Sequence, residues 1–174
     1  MSSTLKTYRP VLIFIGKFAG VYAVLVALYN RYLAYWGNET DGLTRFVGKN
    51  VNYFFRLFHI DASTPALETE RGLKLIINGE YVGRIVEGCT AISVIIMFVA
   101  FVIAFGKSLK KTLLFALAGS LLIFVINIFR ITLLGYLYYA FPAYQDVVHR
   151  IIFPAVIYGF VVLLWIVFIK KFND

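Results

Sequence analysis

EGCTAISVIIMFVAFVIAF, residues 87–105, is where the chain passes from polar to apolar. Glu87 and Gly88 close a long polar section, Cys89 is the only cysteine, and residues 91–105 carry no charge at all. A helix over residues 91–105 is therefore expected to enter a membrane at the cysteine. With a single thiol the chain has no internal disulfide and no CxxC metal or redox pair, so Cys89 is either a packing residue or a reactive one.

Working outward, Gly106-Lys107-Ser108-Leu109-Lys110-Lys111 ends this run, and a second apolar run follows from 112 to about 141. It is longer than one crossing requires and contains Asn127 and Arg130. After a short loop, 142–150, a last run over 151–169 ends at Lys170-Lys171. Upstream, residues 1–10 read as a polar, basic lead, and 11–29 has about the length needed to cross a hydrocarbon core of roughly 30 Å. Lys17 interrupts that run where its long side chain can bend back to the interface. The run is too long for a signal-peptide core and lacks a small-residue cleavage site, so it is read as retained.

These four runs account for the composition. Hydrophobic residues make up 61% of the 174, and the mean hydropathy is +0.82, far above what a soluble domain needs for its core. The net charge of +8 is carried largely by Lys6, Arg9, Lys107, Lys110, Lys111, Lys170 and Lys171 at the ends of apolar runs. That placement sets membrane topology, and no nucleic-acid motif accompanies it. Tyr29, Tyr32, Tyr35, Trp36, Tyr136, Tyr138, Tyr139 and Tyr144 form the aromatic belts expected at the interfaces. Counting the lysine-rich ends as cytoplasmic puts both termini inside, gives four crossings, and leaves residues 30–88 outside. There seven Lys/Arg balance seven Asp/Glu. The fold class expected is thus an all-α polytopic membrane protein of about four transmembrane helices, one domain over 1–174, with an extracytoplasmic insertion over 30–88.

The insertion has two parts. Residues 44–60 place Phe46, Tyr53, Phe54, Leu57 and Phe58 at helical spacing among basic residues, the pattern of an amphipathic helix lying on the membrane. After a break at Ser63-Thr64-Pro65, residues 73–77 and 81–86 flank Asn78-Gly79, which supplies the two positive φ values of a type I′ hairpin. The second strand leads straight to Cys89.

Cys89 lies 18 residues before Lys107, Arg130 lies 19 after Lys111, and His149 lies 21 before Lys170. At about 1.5 Å per residue these are ~27, ~29 and ~32 Å, so all three should sit near the outer membrane boundary. Together they suit acyl transfer: a thiolate attacks a carbonyl, an imidazole protonates the leaving amine, and a cation stabilises the thiolate or the oxyanion. Asn127, one helical turn before Arg130, is placed to orient the guanidinium or donate to an oxyanion. Asp146, three residues before His149, is placed to hold the imidazole tautomer. Each residue also has a plainer reading. Cysteine is often a small buried hydrophobe, His149 beside Arg150 suits headgroup contact, and Arg130 suits an interhelical contact. His59 reads as a surface residue and Glu87 as solvated. One cysteine and two separated histidines make no zinc set, and no metal or cofactor is expected.

Three blocks, Glu87-Gly88-Cys89-Thr90-Ala91-Ile92, Asn127-Ile128-Phe129-Arg130-Ile131 and Asp146-Val147-Val148-His149-Arg150, resemble the signatures of the exosortases and archaeosortases, particularly the small exosortase F type of Bacteroidetes. The resemblance implies a cysteine transpeptidase of the bacterial cytoplasmic membrane, its active site facing the periplasm. It implies recognition of exported proteins by a carboxyl-terminal motif, transmembrane segment and basic tail, with transfer to a surface polysaccharide or lipid-linked acceptor. It makes Cys89 the nucleophile, His149 the acid/base and Arg130 the electrostatic stabiliser. This chain departs from the family in having Thr90-Ala91 where many members have Ser-Gly, and about four helices where many have about eight. The insertion is expected to form an outer cap contributing to substrate recognition. The rival reading is a non-catalytic membrane subunit of a transport or assembly complex.

Overall fold

The computed structural model describes residues 2–144, 150–151 and 153–172. Helix α1 (Ser2–Tyr35) already begins in the expected polar lead and continues through Pro10, which deletes one backbone hydrogen bond without ending the helix. Its apolar stretch is not buried within the protein, so this helix meets its surroundings along most of its length. It touches its neighbour through Phe14, packed edge-on against Phe101 and Phe105 at 5.6 and 5.4 Å.

Helix α2 (Gly42–Leu57) starts at Asp41, whose carboxylate accepts from the backbone N–H groups of Leu43 and Thr44, both at 3.0 Å. The cap satisfies two of the donors a helix start leaves unpaired. One face of α2 is buried through Val47, Val51 and Phe55, while Phe46, Tyr53, Leu57 and Phe58 remain exposed. An exposed apolar ridge on an otherwise polar helix is the feature of a membrane-surface element.

Three antiparallel strands follow in the order β1 (Ala62–Ser63), β2 (Leu73–Ile77), β3 (Glu80–Ile85). Asn78 and Gly79 have φ of 50° and 83°, so the expected hairpin turn is formed. The two-residue β1, where only a break was expected, is too short for alternation to reveal it. The register shifts between Leu75 and Ile76. A 3-10 turn (Glu87–Thr90) then leads to α3 (Ile92–Phe105), α4 (Leu109–Ala140) and α5 (Phe153–Phe172).

Among the described residues three helices are long and apolar enough to cross a membrane: Tyr8–Tyr35, Leu109–Ala140 and Pro154–Lys171. Helix α3 is apolar but has 14 residues, about 21 Å, which is short of a hydrocarbon thickness. Its start is delayed because Ala91 is left-handed, with φ 60° and ψ 9°.

Two cores result. The outer one joins α2, the sheet and α4 through Val51, Phe55, Leu75, Ile77, Ile128 and Ile131. The inner one joins α3, α4 and α5 through Phe98, Val102, Ile123, Val161 and Phe168. Gly135 permits the outer contact: a Cβ there would stand 2.6 Å from Leu75 Cδ2 and 3.3 Å from Phe55 Cζ.

Candidate functional site

Cys89 stands on a strand-to-helix turn between the two cores. Its backbone N–H donates to the Val86 carbonyl at 2.8 Å, and the buried Thr90 hydroxyl donates to the Glu87 carbonyl at 2.8 Å. Ala91 then reverses the backbone into the left-handed region, where an L-residue with a Cβ is strained by roughly 1–2 kcal/mol. Helix α3 opens one residue later without a side-chain cap. Its first N–H, that of Ile92, donates to the Thr90 hydroxyl oxygen at 3.4 Å, and the Cys89 thiol beside this turn is half-buried.

Helix α4 reaches this turn with Asn127, which is fully buried and donates from Nδ2 to the Cys89 carbonyl oxygen at 2.7 Å. Only the NH2 end can make that bond, so the acceptor fixes which way the amide faces. One of the two N–H groups that could donate to an oxyanion is thus used to hold the Cys89 backbone. Asn127 Oδ1 is buried and has no hydrogen-bond partner among the described residues.

One turn further along α4, Arg130 is half-buried, and its Nε has no hydrogen-bond partner among the described residues. Arg130 and Cys89 line the same cavity, of about 70 Å³. Val82, Gly83, Arg84 and Ile85 of β3 form one wall, and Ile131, Leu134, Gly135 and Tyr138 of α4 form the other. Electrostatic interactions connect Arg130 to Cys89, to Tyr138 and to Tyr158 of α5. A guanidinium lining the same small cavity can stabilise negative charge that develops on an oxygen bound there.

Of the five expected site residues the structure brings together Cys89, Arg130 and Asn127. Asp146 and His149 lie outside the described residues. Sequence reading missed Tyr138 as a wall of this cavity and assigned it to an interfacial belt. The available signal was its spacing, because Arg130, Leu134 and Tyr138 recur every four residues along one face of α4. A larger cavity of about 400 Å³, between the end of α2 and α4, is lined by Phe55, Phe58, Ile60, Phe129, Thr132, Leu133 and Tyr136. Its lining contains no cysteine, histidine or charged side chain.

Fold and site define a polytopic, mainly helical membrane protein in which a half-buried thiol shares a cavity with an arginine of the long apolar helix α4. The family model described as transmembrane exosortase matches residues 11–169, and the chain belongs to that family. No curated protein and no solved structure matches it.

Proposed function

We propose that the protein is a membrane cysteine peptidase and transpeptidase that cleaves carboxyl-terminal sorting signals from exported proteins at the outer face of the bacterial cytoplasmic membrane. The observation that carries this reading is the shared cavity of Cys89 and Arg130, with Asn127 fastened to the Cys89 carbonyl. In this reading residues 1–174 form one membrane-embedded unit with four crossings, the short one being α3 extended by the turn before it. Both termini are cytoplasmic, and residues 30–88 lie outside and complete the site.

The Cys89 thiolate adds to the scissile carbonyl, forming a C–S bond while the carbonyl π electrons move onto oxygen. The Arg130 guanidinium faces that oxyanion; losing such a donor typically costs about 10²–10³ in rate. The oxyanion collapses, the C–N bond breaks, and His149 delivers a proton to the leaving amine, leaving a thioester on Cys89. A nucleophilic group on a surface polysaccharide or lipid-linked acceptor then attacks the thioester, gives its proton to His149 and releases the thiolate. Water in place of the acceptor yields simple hydrolysis. Asp146 holds the imidazole in the required tautomer.

The test is co-expression with a neighbouring exported protein that carries a carboxyl-terminal helix and basic tail, followed by the mass of that protein. Wild type is expected to shorten it. Cys89→Ala, Arg130→Ala and His149→Ala are expected to fail while remaining stably inserted, and the product mass separates transfer from hydrolysis. Processing by Cys89→Ala at the wild-type rate would overturn the reading in favour of a non-catalytic subunit.

A further inference from the structure

Strand β3 pairs with β2 on one side only; it is an outer strand of the sheet. It is also the strand whose continuation carries the thiol, four residues beyond Ile85. The two-residue turn makes Ile77 and Glu80 a hydrogen-bonded pair. After the register shift, Gly83 opposite Leu75 and Ile85 opposite Leu73 are the next positions that turn their backbone groups toward β2. Arg84, between them, therefore turns its N–H and C=O to the outer edge. Among the described residues no backbone group of another segment hydrogen-bonds to that edge. The cavity that Cys89 lines is bounded by the same strand, through Val82–Ile85, and by helix α4.

We infer that the outer edge of β3 binds the polypeptide substrate as an added antiparallel or parallel strand, so that an extended segment next to the sorting signal is delivered to Cys89. The inference rests on the cysteine-enzyme reading and names the substrate form that this site takes. Main-chain hydrogen bonds to an exposed sheet edge give affinity that does not depend on side-chain identity, while alternate side chains enter pockets and confer selectivity. Here the pocket is about 70 Å³, with Gly135 and Tyr138 in its α4 wall, so it suits a small side chain. An open edge next to a nucleophile is also a liability for pairing between copies. The exposed Arg84, ion-paired with Glu70 at 2.7 Å, places charge on this edge and opposes indiscriminate pairing.

Proline at position 84 removes the outward N–H and leaves the bonds to β2 in place, a position where edge strands accept proline. Arg84→Pro and Arg84→Ala both lose the ion pair with Glu70, so their difference reports the N–H. With the same exported reporter, Arg84→Pro is expected to process at least about fivefold more slowly than Arg84→Ala, the loss of one net hydrogen bond. A second measurement does not depend on how well the proline variant folds. Arg84→Cys in a Cys89→Ala background is tested for disulfides with single cysteines scanned through the segment preceding the reporter's transmembrane helix. Strand addition gives cross-links at every second position. Equal rates for Arg84→Pro and Arg84→Ala, cross-links at three- to four-residue spacing, or disulfides only between two copies of the protein would each overturn the inference. If wild type itself leaves the reporter intact, the cysteine-enzyme reading fails and this inference falls with it; if wild type shortens the reporter, only strand addition is at stake.

Discussion

Asn127→Ala separates the anchoring of the Cys89 turn from the stability of the fold. The wild-type amide is fully buried and donates at 2.7 Å to the Cys89 carbonyl, while its own oxygen has no partner among the described residues. Removing the side chain orphans that carbonyl, at a cost of about 1–3 kcal/mol, but it also deletes an unsatisfied buried oxygen, which offsets part of the loss. The net loss of stability should be only about 1–2 kcal/mol. The effect on rate should be far larger, because a turn released from its anchor lets the thiol stray, and a displacement near 1 Å can cost on the order of 10²-fold. Cys89 is the only thiol, so its alkylation by iodoacetamide can be followed without any background substitution. Asn127→Ala is expected to alkylate several-fold faster while processing the reporter ~100-fold more slowly. Asn127→Asp keeps the volume but presents only acceptors to the carbonyl and sets a carboxylate one turn from Arg130, so it should be at least as inactive. Unchanged alkylation together with wild-type processing in Asn127→Ala would refute the anchoring argument.

Two further substitutions test the backbone around the site. Ala91 has φ 60°, so Ala91→Gly relieves roughly 1–2 kcal/mol of strain while losing a buried methyl and gaining unfolded-state entropy, and thermal unfolding in detergent should move by less than about 1 kcal/mol equivalent. Ala91→Val, which puts a β-branched side chain at positive φ, should instead destabilise by about 2 kcal/mol or more. Gly135→Ala forces a Cβ to within 2.6 Å of Leu75 Cδ2, so it should cost about 1–3 kcal/mol by pushing α4 from the sheet, and reporter processing should fall with it.

The elements that were legible in the sequence are those whose chemistry leaves few alternatives. Asn78-Gly79 announced its turn because few dipeptides accept two positive φ values, and both are observed. Helix α2 is legible from its periodicity, although its first turn is not, because Asp41, the residue that caps it, lies outside the apolar pattern. Hydropathy does not report backbone conformation. Residues 91–105 read as one uninterrupted run, yet Ala91 is left-handed and the helix begins at Ile92. Likewise the polar residues before Pro10 read as a lead, although a helix once nucleated extends readily through such residues. The depth arithmetic brought Cys89 and Arg130 to one level, and they share a cavity. It gave no information on the rotation of α4 about its axis, which brings Asn127 to the Cys89 carbonyl and Tyr138 to the cavity wall.

That rotation decides what the insertion does. Cys89 packs on the outer core with Ile85, Leu75 and Ile77, whereas Ala91, two residues on, belongs to the inner core with Phe98 and Ile157. The left-handed residue is held from both sides, which is the condition under which local strain persists. The hairpin is therefore part of what positions the thiol, besides any contact it makes with substrate. Deleting residues 68–86 removes Leu73, Leu75, Ile77 and Ile85 from the outer core, so loss of activity in that deletion would not distinguish recognition from collapse of the site. A backbone change confined to the outer edge of β3 leaves those four side chains in place, and a recognition defect can then be read separately from a folding defect.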